Sequence, residues 1–137
     1  MSLDKQTIGA AGEFLTAGKL FKLGLQVCVT YGNAKSVDIL AYNPQINKSY
    51  TVQVKTQATE NRYLLKPQDV RADTIYVFVR LNDENENERF FVIDGATLLA
   101  DVAHFWGASS RQNSGSRPGL NYGPLNSYEN KWDFFKR

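Results

Sequence analysis

The chain has 137 residues, of which 42% are hydrophobic and 22% charged. That suits one domain, residues 1–137, with a single core, and excludes a fibrous or disordered chain. No run approaches the roughly 18 continuous apolar residues of a membrane span, and the start lacks the basic-then-apolar pattern of a secretory signal. The single cysteine, Cys28, excludes an intramolecular disulfide and a cysteine-rich zinc site, and points to reducing cytoplasm. Formal net charge is +2, but Asp83, Glu84, Glu86 and Glu88 crowd one segment. Without those 4 acids, 16 basic residues face 10 acidic ones, a balance compatible with an acidic polymer as ligand and equally with ordinary surface charge.

In chain order, residues 4–23 read as a helix. Ala10, Phe14, Ala17 and Phe21 recur at helical spacing and Gly24 stands where a C-terminal cap belongs. Gly12 and Gly18 are poor helix formers, so both suggest close packing, with the sheet the natural partner. Residues 25–31 form a β-branched and aromatic run that reads as a strand with Cys28 buried in it. A turn at 32–35 leads to a second strand at 36–42, and a loop through Asn43, Pro44 and Asn47 to a third at 49–56. A short helix follows Pro67. Residues 74–81 alternate as a fourth strand, and 89–93 pair with it after the acidic turn. Asp94 caps a helix predicted over 95–104. Residues 109–122 read as a long loop, and the aromatic end at 128–135 folds back onto the domain. His104, beside Phe105 and Trp106, reads as a packing or surface residue. This order predicts one α/β (α+β) domain with a central mixed sheet of four to five strands flanked by helices.

The second and third strands carry the chemistry. Alternate strand residues share a face, so Gln53 and Lys55 project together. A hairpin centred between Gln45 and Ile46 sets Asp38 opposite Gln53, Val37 opposite Val54 and Ile39 opposite Val52. That register gathers the aliphatic residues on one face and Asp38, Gln53 and Lys55 on the other. Glu13 shares a helical stripe with Ala10, Ala17 and Leu20, where an acid is either at a solvated margin or held inward for a purpose. Without the helix, the three strand residues would read as a solvated hairpin face with a weak Asp38–Lys55 pair.

The segments Gly9-Ala10-Ala11-Gly12-Glu13, Val37-Asp38-Ile39 and Val52-Gln53-Val54-Lys55-Thr56 resemble the PD-(D/E)XK nuclease superfamily, which includes restriction enzymes and Holliday-junction resolvases. The similarity is greatest to small stand-alone members with a QVKT-type third motif and a terminal aromatic segment like Trp132-Asp133-Phe134. It covers residues 7–56 well, 74–81 moderately and the tail weakly. It implies a restriction-endonuclease-like core that hydrolyses DNA with Mg²⁺ or Mn²⁺. Asp38 would be the central ligand, Glu13 an accessory one, and Gln53 and the Val54 carbonyl would complete the oxygen set. Lys55 would orient a water or offset phosphoryl charge. Lys35, Arg62, Arg111 and Arg117 are the expected nucleic-acid contacts, and a homodimer is compatible with cutting two strands. Gln53 departs from the family's second acid. The alternative reading is therefore an inactive nuclease-fold module that binds nucleic acid or protein.

Overall fold

A computed structural model describes residues 3–30, 37–83, 85–107 and 119–137. The first helix, α1, spans Lys5–Lys22. The Asp4 carboxylate starts it by accepting from the Thr7 N–H at 2.7 Å. It ends at Gly24, whose φ of +90° is open to glycine. There Gly24 donates to the Phe21 carbonyl and Leu25 to that of Leu20, the paired bonds of a Schellman motif.

Five strands follow in a mixed sheet: β1 (Gln26–Val29), β2 (Ile39–Asn43), β3 (Lys48–Gln57), β5 (Thr74–Arg80) and β6 (Arg89–Asp94). Their spatial order is β1-β2-β3-β5-β6, and a two-strand ladder joins β4 (Tyr63–Leu64) to β7 (Gly119–Leu120). The β2–β3 hairpin has the expected register, Ile39 on Val52 and Asn43 on Lys48. Its turn places Asn47 at a φ of 52° and is tied to the tail by the Asn43 amide on the Phe135 carbonyl. β3 runs parallel to β5 at the centre. β5 is buried on both faces, as an inner strand with a parallel neighbour requires, so its alternation marks no solvent side.

One face of the sheet carries Ile39, Val52 and Val54 under α1. The C-terminal 3₁₀ turn Trp132–Lys136 packs there too, with Phe135 edge-on to Tyr50 and Trp132 against Phe90. The opposite face carries Tyr76, Phe78 and Phe91, covered by Tyr63 of β4 and by Tyr122 of the short helix α4 (Tyr122–Leu125). The architecture is the mixed α/β sheet with flanking helices that the sequence predicts, and no described helix is long and apolar enough to cross a membrane.

Several local expectations are corrected. The buried stripe of α1 is Gly12, Thr16, Ala17 and Leu20, whereas Phe14 and Phe21 are 52% and 57% exposed. Small residues set this rotation: a Cβ on Gly12 would lie 1.7 Å from the Thr56 hydroxyl, so the helix rests directly on β3. A Cβ on Gly18 would meet nothing within 4 Å among the described residues. Cys28 is exposed, because β1 is an edge strand with only one covered face. Val37 is half-buried. The helix predicted over 95–104 is two, α2 (Gly95–Ala100) and α3 (Val102–Trp106), because Asp101 leaves helical geometry and caps the second. Part of the predicted 109–122 loop is instead β7 and the start of α4. The turn at 32–35, the first residue of the predicted second strand, and Glu84 lie outside the described residues.

Gly12→Ala should therefore lower stability by about 1–3 kcal/mol through overpacking against Thr56. Phe21→Ser should change it by less than about 0.5 kcal/mol. Urea midpoints of the two variants check both, and equal losses would contradict this seating of α1.

Candidate active site

Asp38 sits just before β2, at a break in the ladder. Its N–H donates to the Val52 carbonyl at 2.9 Å, although Val52 is already the partner of Ile39. Two residues thus oppose one, which makes a β-bulge. The Asp38 carbonyl accepts from the Thr30 N–H at 2.9 Å, so its two backbone groups serve opposite neighbours. This corrects the expected pairing of Asp38 with Gln53. The bulge turns the carboxylate into the seam between β2 and β3, where Oδ2 accepts from the Val54 N–H at 2.8 Å. Backbone N–H and C=O of one strand residue point the same way, so the Val54 carbonyl faces that seam as well.

Glu13 approaches from α1, half-buried beside Gly12. Burial raises its carboxyl above the ordinary range, and the negative charge of Asp38 adds to the rise. Burial raises Asp38 too, against the Val54 N–H and the Lys55 charge, which both favour its ionised form. Glu13, Asp38 and Lys55 therefore share one electrostatic neighbourhood. Gln53 precedes Val54 on β3, and its Oε1 is buried with no hydrogen-bond partner among the described residues. Among the described residues that oxygen bonds neither Asp38 nor Glu13. The donors are two desolvated carboxylates, an unpartnered amide oxygen and a strand carbonyl. That all-oxygen set fits a hard divalent cation, whose charge would offset the repulsion between the acids. The described residues hold no group of three His, Cys, Asp or Glu side chains suited to a metal.

Lys55 also lines an open groove of about 520 Å³ with Lys5, Thr56, Gln57, Asn61 and Arg62. Arg62 is held there from two sides. The Gln57 amide donates to its carbonyl at 3.2 Å, and a Cβ on Gly119 would come within 2.9 Å of the Arg62 Cβ. Of the predicted nucleic-acid contacts, Arg62 is thus placed beside Lys55, while Lys35, Arg111 and Arg117 lie outside the described residues. Lys5 is an addition. It lies eight residues before Glu13, two turns and about 80° further round α1, so helical spacing gave no signal of it. A larger hollow of about 710 Å³, lined by Leu40, Tyr42, Tyr50 and Phe134 among others, includes none of the four candidate residues.

No protein-family model matches the chain, and no curated protein matches it. Among solved structures it is similar to a bacterial homing endonuclease, I-Ssp6803I, at 15% identity and a TM-score of 0.62, over 98% of this chain and 95% of that one. At that identity the likeness concerns the fold.

A carboxyl raised above its ordinary pKa binds protons more tightly in the fold than in the unfolded chain. It supports stability below the ordinary carboxylate range and withdraws that support as pH rises through the raised value. In metal-free protein, Glu13→Gln should raise the melting temperature near pH ~7, and the gain should vanish toward pH ~3–4, where both forms are protonated. A gain that does not change with pH would refute the strained pair.

Proposed function

We propose that this chain is a divalent-metal-dependent nuclease that hydrolyses DNA phosphodiester bonds. The observation that carries the reading is the bulge that aims Asp38 at the Val54 backbone, beside a half-buried Glu13 and within reach of the Lys55 charge. The fold shared with a bacterial homing endonuclease supports it.

In this reading Asp38, Glu13, the Gln53 amide oxygen and the Val54 carbonyl would hold Mg²⁺ or Mn²⁺. When bound, such an ion acidifies a water and neutralises charge on the phosphoryl oxygens. The Val54 N–H fixes the Asp38 carboxylate, so little reorganisation is needed at the moment of reaction. Lys55 orients the attacking water or stabilises charge that grows in the transition state. Lys5 and Arg62 hold the backbone of the strand in the groove beyond Lys55. A pair of copies would place two such sites on a duplex.

The rival reading, a binding module that keeps the fold without catalysis, is favoured by the neutral Gln53 in place of a second acid.

Asp38→Ala should abolish Mn²⁺-dependent cleavage. Lys55→Ala should lower turnover about 10²-fold or more while leaving metal binding nearly intact, as expected of a group that acts in the transition state. Gln53→Glu should tighten Mn²⁺ binding in calorimetry, because it adds a charge beside the ion. Metal binding by wild type and Gln53→Glu without cleavage of single-stranded, duplex or branched DNA would favour the binding module.

A further inference from the structure

We propose that Arg80, Tyr63 and Tyr122 form a binding site for a phosphate-type oxyanion, separate from the Asp38 seam. Along the sheet, Gln57 of β3 pairs with Arg80 of β5, and Arg80 with Arg89 of β6, so the polar residues form a row at the end of the aromatic face. Two arginines stand directly opposite each other, an arrangement that costs stability unless their charge is met. Arg89 is met: its Nε and Nη2 each donate to a Glu129 oxygen at 3.0 Å. Arg80 is not. Its Nε reaches Asn82 Oδ1 at 3.3 Å, while Nη1 is buried and donates to nothing among the described residues.

The hydroxyls of Tyr63 and Tyr122 are likewise buried without a partner among the described residues. Tyr63 is 1% exposed, so its hydroxyl does not face bulk solvent. The two rings stack at 6.2 Å and 17°, and each is wedged by a sheet aromatic, Tyr63 by Phe78 at 5.0 Å and Tyr122 by Phe91 at 5.4 Å. Arg80 lies two residues beyond Phe78 on the same face of β5, the face on which Tyr63 and Tyr122 pack, and its positive charge acts on both phenols. Glu129 also acts on Tyr122 but is engaged by Arg89. Glu60, on the exposed loop before β4, acts on Arg89 and Tyr122 and bonds neither.

Unpartnered buried donors in such a group are rare and costly. Two phenol donors beside an unbalanced guanidinium suit an oxyanion: a cation would add to the excess charge, and water would satisfy the bonds but leave that charge. Arg80 pairs with the strand position two residues beyond Lys55, roughly 7 Å along β3. A phosphate held there would be either free phosphate or a neighbouring phosphate of a strand lying past Lys55.

The test uses full-length, metal-free protein with chelator, so it is independent of the nuclease reading. Thermal unfolding is followed against inorganic phosphate at constant ionic strength set with chloride. The wild-type melting temperature should rise with phosphate, as binding to the folded state alone requires. In Arg80→Gln and Tyr63→Phe the apparent affinity should fall about tenfold or more. Tyr63→Phe without phosphate should melt no lower than wild type, because it deletes an unpartnered hydroxyl. A second arm measures anisotropy of a short labelled single strand with and without a 5′-phosphate. Arg80-dependent binding of either strand supports a nucleic-acid phosphate. A phosphate-dependent rise with strand binding indifferent to Arg80 supports free phosphate. No rise in wild type, or one unchanged in both variants, would overturn the site and leave a bridging water as the occupant.

Discussion

The hydrogen bond from the Val54 N–H to the Asp38 carboxylate occupies the point where the β2–β3 ladder gives way. A regular hairpin would continue with backbone partners on both strands, and Asp38 would stand out from one face. Instead the bulge leaves Asp38, just before β2, without a β3 partner of its own, and its side chain takes the role of the ladder. The functional geometry depends on that substitution. It brings an acid from above the sheet into its edge-on seam, where the backbone of β3 and a side chain from α1 are both within reach. Backbone groups make firm anchors, since β3 is paired with β2 over residues 48–52 and with β5 over residues 51–57.

The same seam explains why α1 is built from small residues. Glu13 can stand over β3 only if its helix approaches closely, and Gly12 against Thr56 gives that approach. The seating desolvates Glu13 beside another acid, which opposes folding near neutral pH. A strained pair persists when the surrounding packing outweighs it, and here the continuous core beneath, from Leu20 through Val52, Val77 and Val92, does so. Strain of this kind favours ligand binding, because a cation relieves repulsion already present in the fold.

Much of this was legible in the chain. Asp94 caps the helix it precedes, Gly24 ends the first helix, and the 45–46 turn centre yields the observed Ile39–Val52 register. What escaped depends on distance rather than pattern. Ala10, Phe14, Ala17 and Phe21 make a valid helical stripe, but periodicity does not say which stripe meets the sheet; the small residues do. The bulge at Asp38 escaped because a hairpin register is extrapolated as regular, and one extra residue leaves no mark on alternation in so short a strand. Asp101 broke a helix whose apolar spacing was otherwise continuous, since its side chain caps α3 better than it continues α2.

Gln53 remains the residue on which the chemistry turns, and its setting argues for a ligand role over a merely polar surface one. A glutamine on a solvated hairpin face would expose its amide oxygen to water at no cost. Here that oxygen is buried and unpaired, on the strand position next to the carbonyl that faces the seam. A buried acceptor without a donor is a standing penalty that leucine or methionine of similar size would remove. A neutral amide next to Val54 also adds no negative charge to the strand that the Glu13 and Asp38 carboxyls approach, and those carboxyls already resist ionisation. In the proposed nuclease reading, that amide would offer an oxygen to a cation without adding charge to the seam.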